Sequence, residues 1–417
     1  MSAFKNSPLK QPNKKQNKVE EITVSSKHLV LRIILFVLFL GIGISGIVVG
    51  CTYNNNHLDT GWYNVECIEG QTDANNFRLS CYYNDGKKEN ANLNKAITKL
   101  YTQLCNKAYA LFHETRTSDL IVNLKDINSN PNEDIRVESD LYNVFKTILD
   151  NDSKVIYYGP VYDTYSNLFS ADSDIQAKES DPYYSTKVKD FFDEVSSYVT
   201  NDKVKVVLKE NNVLRLEVSD DYLTYCNENG ITNFVSFNYL HNAITVDFIA
   251  DKLIEANVSD FRIYSYDGYY RSYYKNDSLS DSYFMRTYYN DYIIPEAKIN
   301  FKKSTTFVEF KTFPISAGED SYLYENKKFA HHFLNDECLY TSCCESLLLY
   351  KNESASTLDL LLKGTKIFTG STLDVNGLKA IANFVYNEGN VVKYNDASLE
   401  MTDLFDKDGM TFTKELI

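Results

Sequence analysis

Two adjacent histidines, His331 and His332, are the strongest local hint of chemistry in this 417-residue chain, which has only six histidines in all. They lie near the end of the stretch from Phe313 to Asp336. There a small-residue turn, Ser316-Ala317-Gly318, precedes an acidic, tyrosine-bearing segment and a Lys-Lys step. An imidazole titrates near neutral pH and can take the proton of a hydroxyl, so His332 is a candidate general base. Neighbours on a strand point to opposite faces, so the pair reads equally as one buried, hydrogen-bonded ring and one solvated ring. Familiar catalytic and nucleotide motifs are missing: no G-x-G-x-x-G follows a strand, and there is no G-x-x-x-x-G-K-[ST], G-x-S-x-G or H-E-x-x-H. No C-x-x-C offers zinc-ligand spacing either.

The elements that must position these residues are mixed. Leu93, Ile97, Leu100, Leu104, Ala108 and Leu111 recur at helical spacing and predict an amphipathic helix over Asn92–Phe112. Ser139 is expected to cap a second helix that runs to about Leu149, and Asp190 to Tyr198 reads as part of a third. Residues 61–83 read as strands. Lys203–Leu208 and Val213–Val218 alternate around Asn211-Asn212, a hairpin signal. A helix over Ala243–Ala256 leads into a strand over Phe261–Tyr266. Ala297–Phe313 reads as two strands, and 355–369 and 372–387 as helices. Helices and hairpins interspersed in this way predict an α+β fold rather than a doubly wound sheet. Tyr264, Tyr266, Tyr269, Tyr270, Tyr273 and Tyr274 form either a ring-stacking surface or one face of that sheet.

The N-terminus points to a membrane. Residues 1–28 are polar, with Lys5, Lys10, Lys14, Lys15, Lys18 and Lys27 against only Glu20 and Glu21. Residues 29–51 are almost wholly apolar and about long enough to span a bilayer core. Positive flanks stay cytoplasmic, so the remainder is expected outside. The run ends in Val48-Val49-Gly50-Cys51, which resembles a bacterial lipobox. The segment is therefore an uncleaved signal anchor or a lipoprotein signal with Cys51 lipidated. Residues 52–60 read as a tether and 61–417 as one extracellular domain. The chain carries a net charge of −14, and the acidic excess falls beyond the basic N-terminus, which argues against nucleic-acid binding. Beyond Cys51 the cysteines are odd in number. Cys105 reads as a buried free thiol, while Cys67 with Cys81, or Cys338 with Cys343 or Cys344, could bridge.

Several motifs follow one another in a telling order. They are Asn123 to Asn128, Val137-Glu138-Ser139-Asp140-Leu141, Tyr158-Gly159-Pro160-Val161, the loop Ser236 to Asp247, Ile263 to Asp267, the Ser316-Ala317-Gly318 turn, His331 to Asp336, and Ser356 to Lys363. Across about residues 61–410 this order resembles the FAD:protein FMN transferases, the ApbE-type flavin transferases. That resemblance implies an ApbE-like α+β domain with mixed and antiparallel sheets, commonly held at the outer face of a bacterial membrane. It implies FAD as substrate, Mg²⁺, and attachment of FMN through a phosphoester to Ser or Thr of a partner flavoprotein. It assigns His332 as the catalytic base, and Asp247, Asp267, Ser316, Ala317, Gly318 and Asn242 to the cofactor. Asp359 is assigned to the metal.

The chain departs from the family pattern where that chemistry is most demanding. Asn238, Tyr239 and Ala243 stand in a loop where the family has glycines that let backbone N–H groups approach phosphate. Asn242 replaces the loop lysine and Asn335 a carboxylate. Lys363 takes the place of a metal-binding threonine one turn after Asp359, and it could pair with Asp359 instead. Two functions follow: a working transferase, or a non-catalytic relative that keeps the fold as an extracellular binding or scaffold protein.

Overall fold

A computed structural model of the chain describes residues 58–72, 76–84, 88–118, 121–314, 321–402 and 411–417. The expected anchor at 29–51, Cys51 and the Ser316-Ala317-Gly318 turn lie outside the described residues. Among those described, no helix is long and apolar enough to cross a membrane.

Strands β1 (Gly61–Val65) and β2 (Phe77–Tyr83) lead into the long helix α1 (Lys88–Phe112). Next come α2 (Leu124–Ser129), β3 (Asp134–Arg136), α3 (Ser139–Asp150), α4 (Gly159–Tyr165), α5 (Asp174–Glu179) and α6 (Thr186–Thr200). The hairpin β4 (Val204–Lys209) and β5 (Val213–Val218) is followed by α7 (Asp220–Asn229) and α8 (His241–Glu255). Then come β6 (Phe261–Ser265), β7 (Tyr269–Tyr273), β8 (Asp281–Tyr289), β9 (Tyr292–Phe301), β10 (Thr306–Lys311), β11 (Ser321–Leu323), β12 (Phe329–His331) and β13 (Ser346–Lys351). The chain closes with α9 (Thr357–Phe368), α10 (Val375–Ile381), β14 (Asn383–Glu388), β15 (Val391–Tyr394), β16 (Glu400–Thr402) and β17 (Thr413–Leu416).

The main sheet runs β1-β2-β6-β7-β10-β13-β14-β15-β17 and is antiparallel except for the final parallel pair. Its strands alternate between two covered faces. Val308 and Phe310 of β10 face the helices, whereas Phe307 faces a smaller sheet, β16-β9-β8. Strands β10 and β13 are therefore buried along almost their whole length. Helix α9 lies so close to this sheet that a Cβ at Gly364 would sit 2.6 Å from Leu349 and Phe310, which is why glycine is found there. The expected α+β class is what the chain adopts.

Most predicted elements appear within a few residues of their expected bounds, with instructive exceptions. The second helix starts at Ser139, but Glu138 occupies the cap position. The helix expected over 372–387 is only α10, after which Asn383 enters the sheet as β14. β14 is covered on both faces, so its apolar run carries no period-two signal to separate it from a helix. The expected Cys67–Cys81 bridge is not formed: Cys81 is buried in β2, and the Cys67 sulfur lies 3.7 Å from that of Cys105. Cys343 and Cys344 sulfurs lie 3.9 Å apart, and the described cysteines are free thiols.

Candidate functional site

The end of the sheet at the β6–β7 turn meets four other segments: the end of α1, α4, the start of α8 and the exit from β12. Gly268 in that turn takes φ +108°, and a Cβ there would also press within 3.0 Å of Glu309. Its neighbour Asp267 thereby stands at the sheet's edge, where Asn242 Nδ2 donates to its carboxylate at 2.8 Å. Asp267 and Asn242 line a cavity of about 500 Å³ together with His332, His241, His113, Glu114, Asp163 and Tyr239. The His332 backbone is pinned by Tyr162, whose hydroxyl donates to its carbonyl at 3.0 Å, and Tyr165 does the same for His331 at 2.9 Å. The rings of the pair diverge. His332 faces the cavity, while His331 packs against Phe333, Tyr340 and Phe368. Burial pushes the His331 imidazole down to about 3, so it is neutral.

The cavity walls tend toward neutrality. Burial raises Glu114 and Asp163 above the usual carboxylate range and lowers His113 and His241. Glu114 is held by the Ser236 hydroxyl at 2.6 Å and the Phe237 N–H at 2.7 Å. His113 Nδ1 accepts from the N–H groups of Thr115 and Arg116 at 3.1 and 3.2 Å, which leaves its other nitrogen to carry the proton. His113, Glu114 and Asp163 were not singled out in the sequence, and Tyr239 only as a side chain standing where the family has a glycine loop. The scarcity of histidine was the one signal that could have drawn attention to His113. His241, expected in a loop, is the first residue of α8.

The other predicted carboxylates sit elsewhere. Asp247, from the middle of α8, accepts from the Ser356 hydroxyl at 2.7 Å and from the N–H groups of Thr357 and Leu358 at 2.8 and 2.9 Å. It thus satisfies the orphan donors at the start of α9. Arg271 bridges it to Asp251, at 3.2 and 2.6 Å. Asp359, in the first turn of α9, pairs with Lys363 at 2.8 Å and accepts from Asn151 at 3.2 Å. Mg²⁺ does not fit these donors. A cation at Asp359 would have to displace an ammonium already in contact, and Asp247 is committed to the helix end. Among the described residues no group of three His, Cys, Asp or Glu could hold a metal.

A second cavity of about 530 Å³ adjoins the first, lined by Lys154, Asp336, Glu337, Thr365, Lys366 and others. Tyr239 lines both. Tyr239 also lies against the ring of His332, at 5.6 Å, and edge-on to Phe333, at 5.2 Å.

No protein-family model matches the sequence, and no curated protein matches it. Solved structures do resemble it. A flavin transferase ApbE from Vibrio cholerae superposes with a TM-score of 0.51 at 12% identity, covering 82% of this chain and 97% of that one. The ApbE protein of Thermotoga maritima superposes with a TM-score of 0.50 at 13% identity, covering 78% of this chain and 94% of its own.

Proposed function

Starting from a chain that has the fold of the ApbE flavin transferases, we propose that it is a membrane-anchored, outward-facing protein that binds a flavin-type ring without a divalent metal. The N-terminal apolar run and its lysines support the anchoring. The single observation that carries the binding reading is the Lys363–Asp359 pair at 2.8 Å, which takes up the carboxylate assigned to the metal while the cavity beside Asp267 stays open. In that cavity Asn242, Asp267 and His332 offer hydrogen bonds to the edge of a planar heterocycle, and Tyr239 and Phe112 supply apolar surface.

FAD's ring would supply redox chemistry when bound. This chain's own residues orient the ring, and burial shifts Glu114, Asp163, His113 and His241 toward their neutral forms. A second reading, FMN transfer to a Ser or Thr of a partner flavoprotein, is favoured by one observation: His332 reaches the cavity, where it could take a hydroxyl proton.

The two readings separate in one experiment on the full-length chain in detergent micelles. Riboflavin, FMN and FAD are titrated by flavin fluorescence with and without Mg²⁺, and a Ser/Thr-bearing acceptor is then checked by in-gel fluorescence. The binding reading expects flavin binding that Mg²⁺ does not alter and no labelled acceptor. Mg²⁺-dependent labelling that is lost in His332→Ala establishes the transferase instead. No binding of any flavin refutes both.

A further inference from the structure

We infer that Tyr239 is a partition that sets the size of ligand the site accepts, confining it to an unphosphorylated flavin-type ring. The inference deepens the flavin-binding reading and rests on it. Tyr239 is the residue common to the walls of both cavities, of about 500 and 530 Å³. Each volume alone is of the size that takes a single ring-bearing ligand. A dinucleotide is longer than one ring, and the wall that the two cavities share is formed by Tyr239.

The backbone that carries the ring is fixed. Asn238, just before it, takes φ +46°, a left-handed conformation that asparagine tolerates, and its backbone N–H donates to the Ser236 hydroxyl oxygen at 3.1 Å. The Tyr269 hydroxyl donates to the Tyr239 carbonyl at 3.1 Å. The side chain leans on Phe333 and His332, and its hydroxyl reaches Thr365 of α9. The partition is thus built from both sides of the gap.

Charge points the same way. The first cavity carries Glu114, Asp163 and Asp267, opposed by His113, His241 and His332, with burial driving Glu114, Asp163, His113 and His241 toward their neutral forms. A phosphate confined there would lose its hydration and, among the described residues, meet no lysine or arginine in the lining. Lys154 and Lys366 line only the second cavity, where Asp336 and Glu337 accompany them. With the ring of Tyr239 in place, an isoalloxazine in the first cavity is kept from the lysines of the second.

The test compares riboflavin, FMN and FAD affinities for the full-length chain and for Tyr239→Ala and Tyr239→Phe. The native chain is expected to bind riboflavin at least about tenfold more tightly than FAD, since a steric barrier rejects the larger ligand. Tyr239→Ala should bring that ratio to near one, and Tyr239→Phe, which keeps the ring and loses the hydroxyl, should retain it. Equal affinities in the native chain, or a ratio unmoved by Tyr239→Ala, overturn the inference while leaving the flavin reading intact. No flavin binding by any of the three proteins overturns both. A ligand-free crystal structure of Tyr239→Ala gives an independent readout. One continuous cavity is expected, and two cavities still separate would refute the partition whatever the flavins do.

Discussion

Along α8 the open end at Asn242 and the closed end at Asp247 meet similar residues and use them differently. Around Asp267 and Asn242 the carboxylate meets a neutral amide and an open cavity. Around Asp247 and Asp359, at the start of α9, each carboxylate meets a cation: Arg271 for one and Lys363 for the other. The contrast is between carboxylates spent on holding a helix end and one that lines a cavity. At the closed end the acids hold α8, α9 and β7 together. At the open end they shape a space.

The largest expected effect comes from the closed end. Asp247→Ala removes three hydrogen bonds at the start of α9 and leaves Arg271, whose side chain is only 8% exposed, with Asp251 as its one remaining acid and the Ser354 hydroxyl as its neutral partner. Breaking such a pair should cost about 3–5 kcal/mol of folding stability in urea denaturation. A loss under about 1 kcal/mol would show that the closed end is not holding the fold and would erase the contrast.

Acid sharpens the comparison next, through His331, whose ring turns away from the cavity that His332 faces. His331 is buried, with its folded value pushed down to about 3. The unfolded chain binds its proton near pH 6.5 while the folded chain does not, so His331 costs stability as pH falls from about 6.5 toward 3. The slope attributable to it is up to about 1.4 kcal/mol per pH unit. In urea denaturation at pH 7, 6, 5 and 4, native protein should lose ground relative to His331→Leu by that margin. Parallel pH profiles would show that the ring is not held neutral.

Smaller effects probe each end singly. Asp267→Ala should weaken riboflavin binding by about tenfold, the loss of one charge-assisted hydrogen bond, while thermal unfolding moves little. A large drop in stability with unchanged affinity would place Asp267 with the closed end. Lys363→Ala should change stability by no more than about 1 kcal/mol, because its ammonium is 44% exposed and solvent screens the pair. If Mg²⁺ then tightens riboflavin binding in this variant but not in the native chain, the closed end is a metal site that the lysine blocks.

Much of the fold was legible in the chain because its signals are local. The apolar spacing that ends in Phe112, the alternation about Asn211-Asn212 and the helix beginning near Ala243 each depend on a few consecutive residues. The candidate site was legible in part. His332, Asn242 and Asp267 were expected and line one cavity, whereas Asp247 and Asp359, also expected, lie at the start of α9 outside that lining. His113 and Asp163 reach the cavity from α1's end and α4, far from the motif that drew attention. No spacing rule links them to it.

By itself, the sequence determined the order of elements, the α+β class and the basic, apolar start of the chain. Those follow from periodicity and composition, which act over one or two turns. Only the tertiary structure decided that Asp247 caps a helix beginning more than a hundred residues later, that Cys67 meets Cys105, and that Tyr239 stands between two cavities. Partnership between distant charges and rings depends on which faces the packed layers bring within a few ångströms. That is set by burial of the whole sheet rather than by any segment of it.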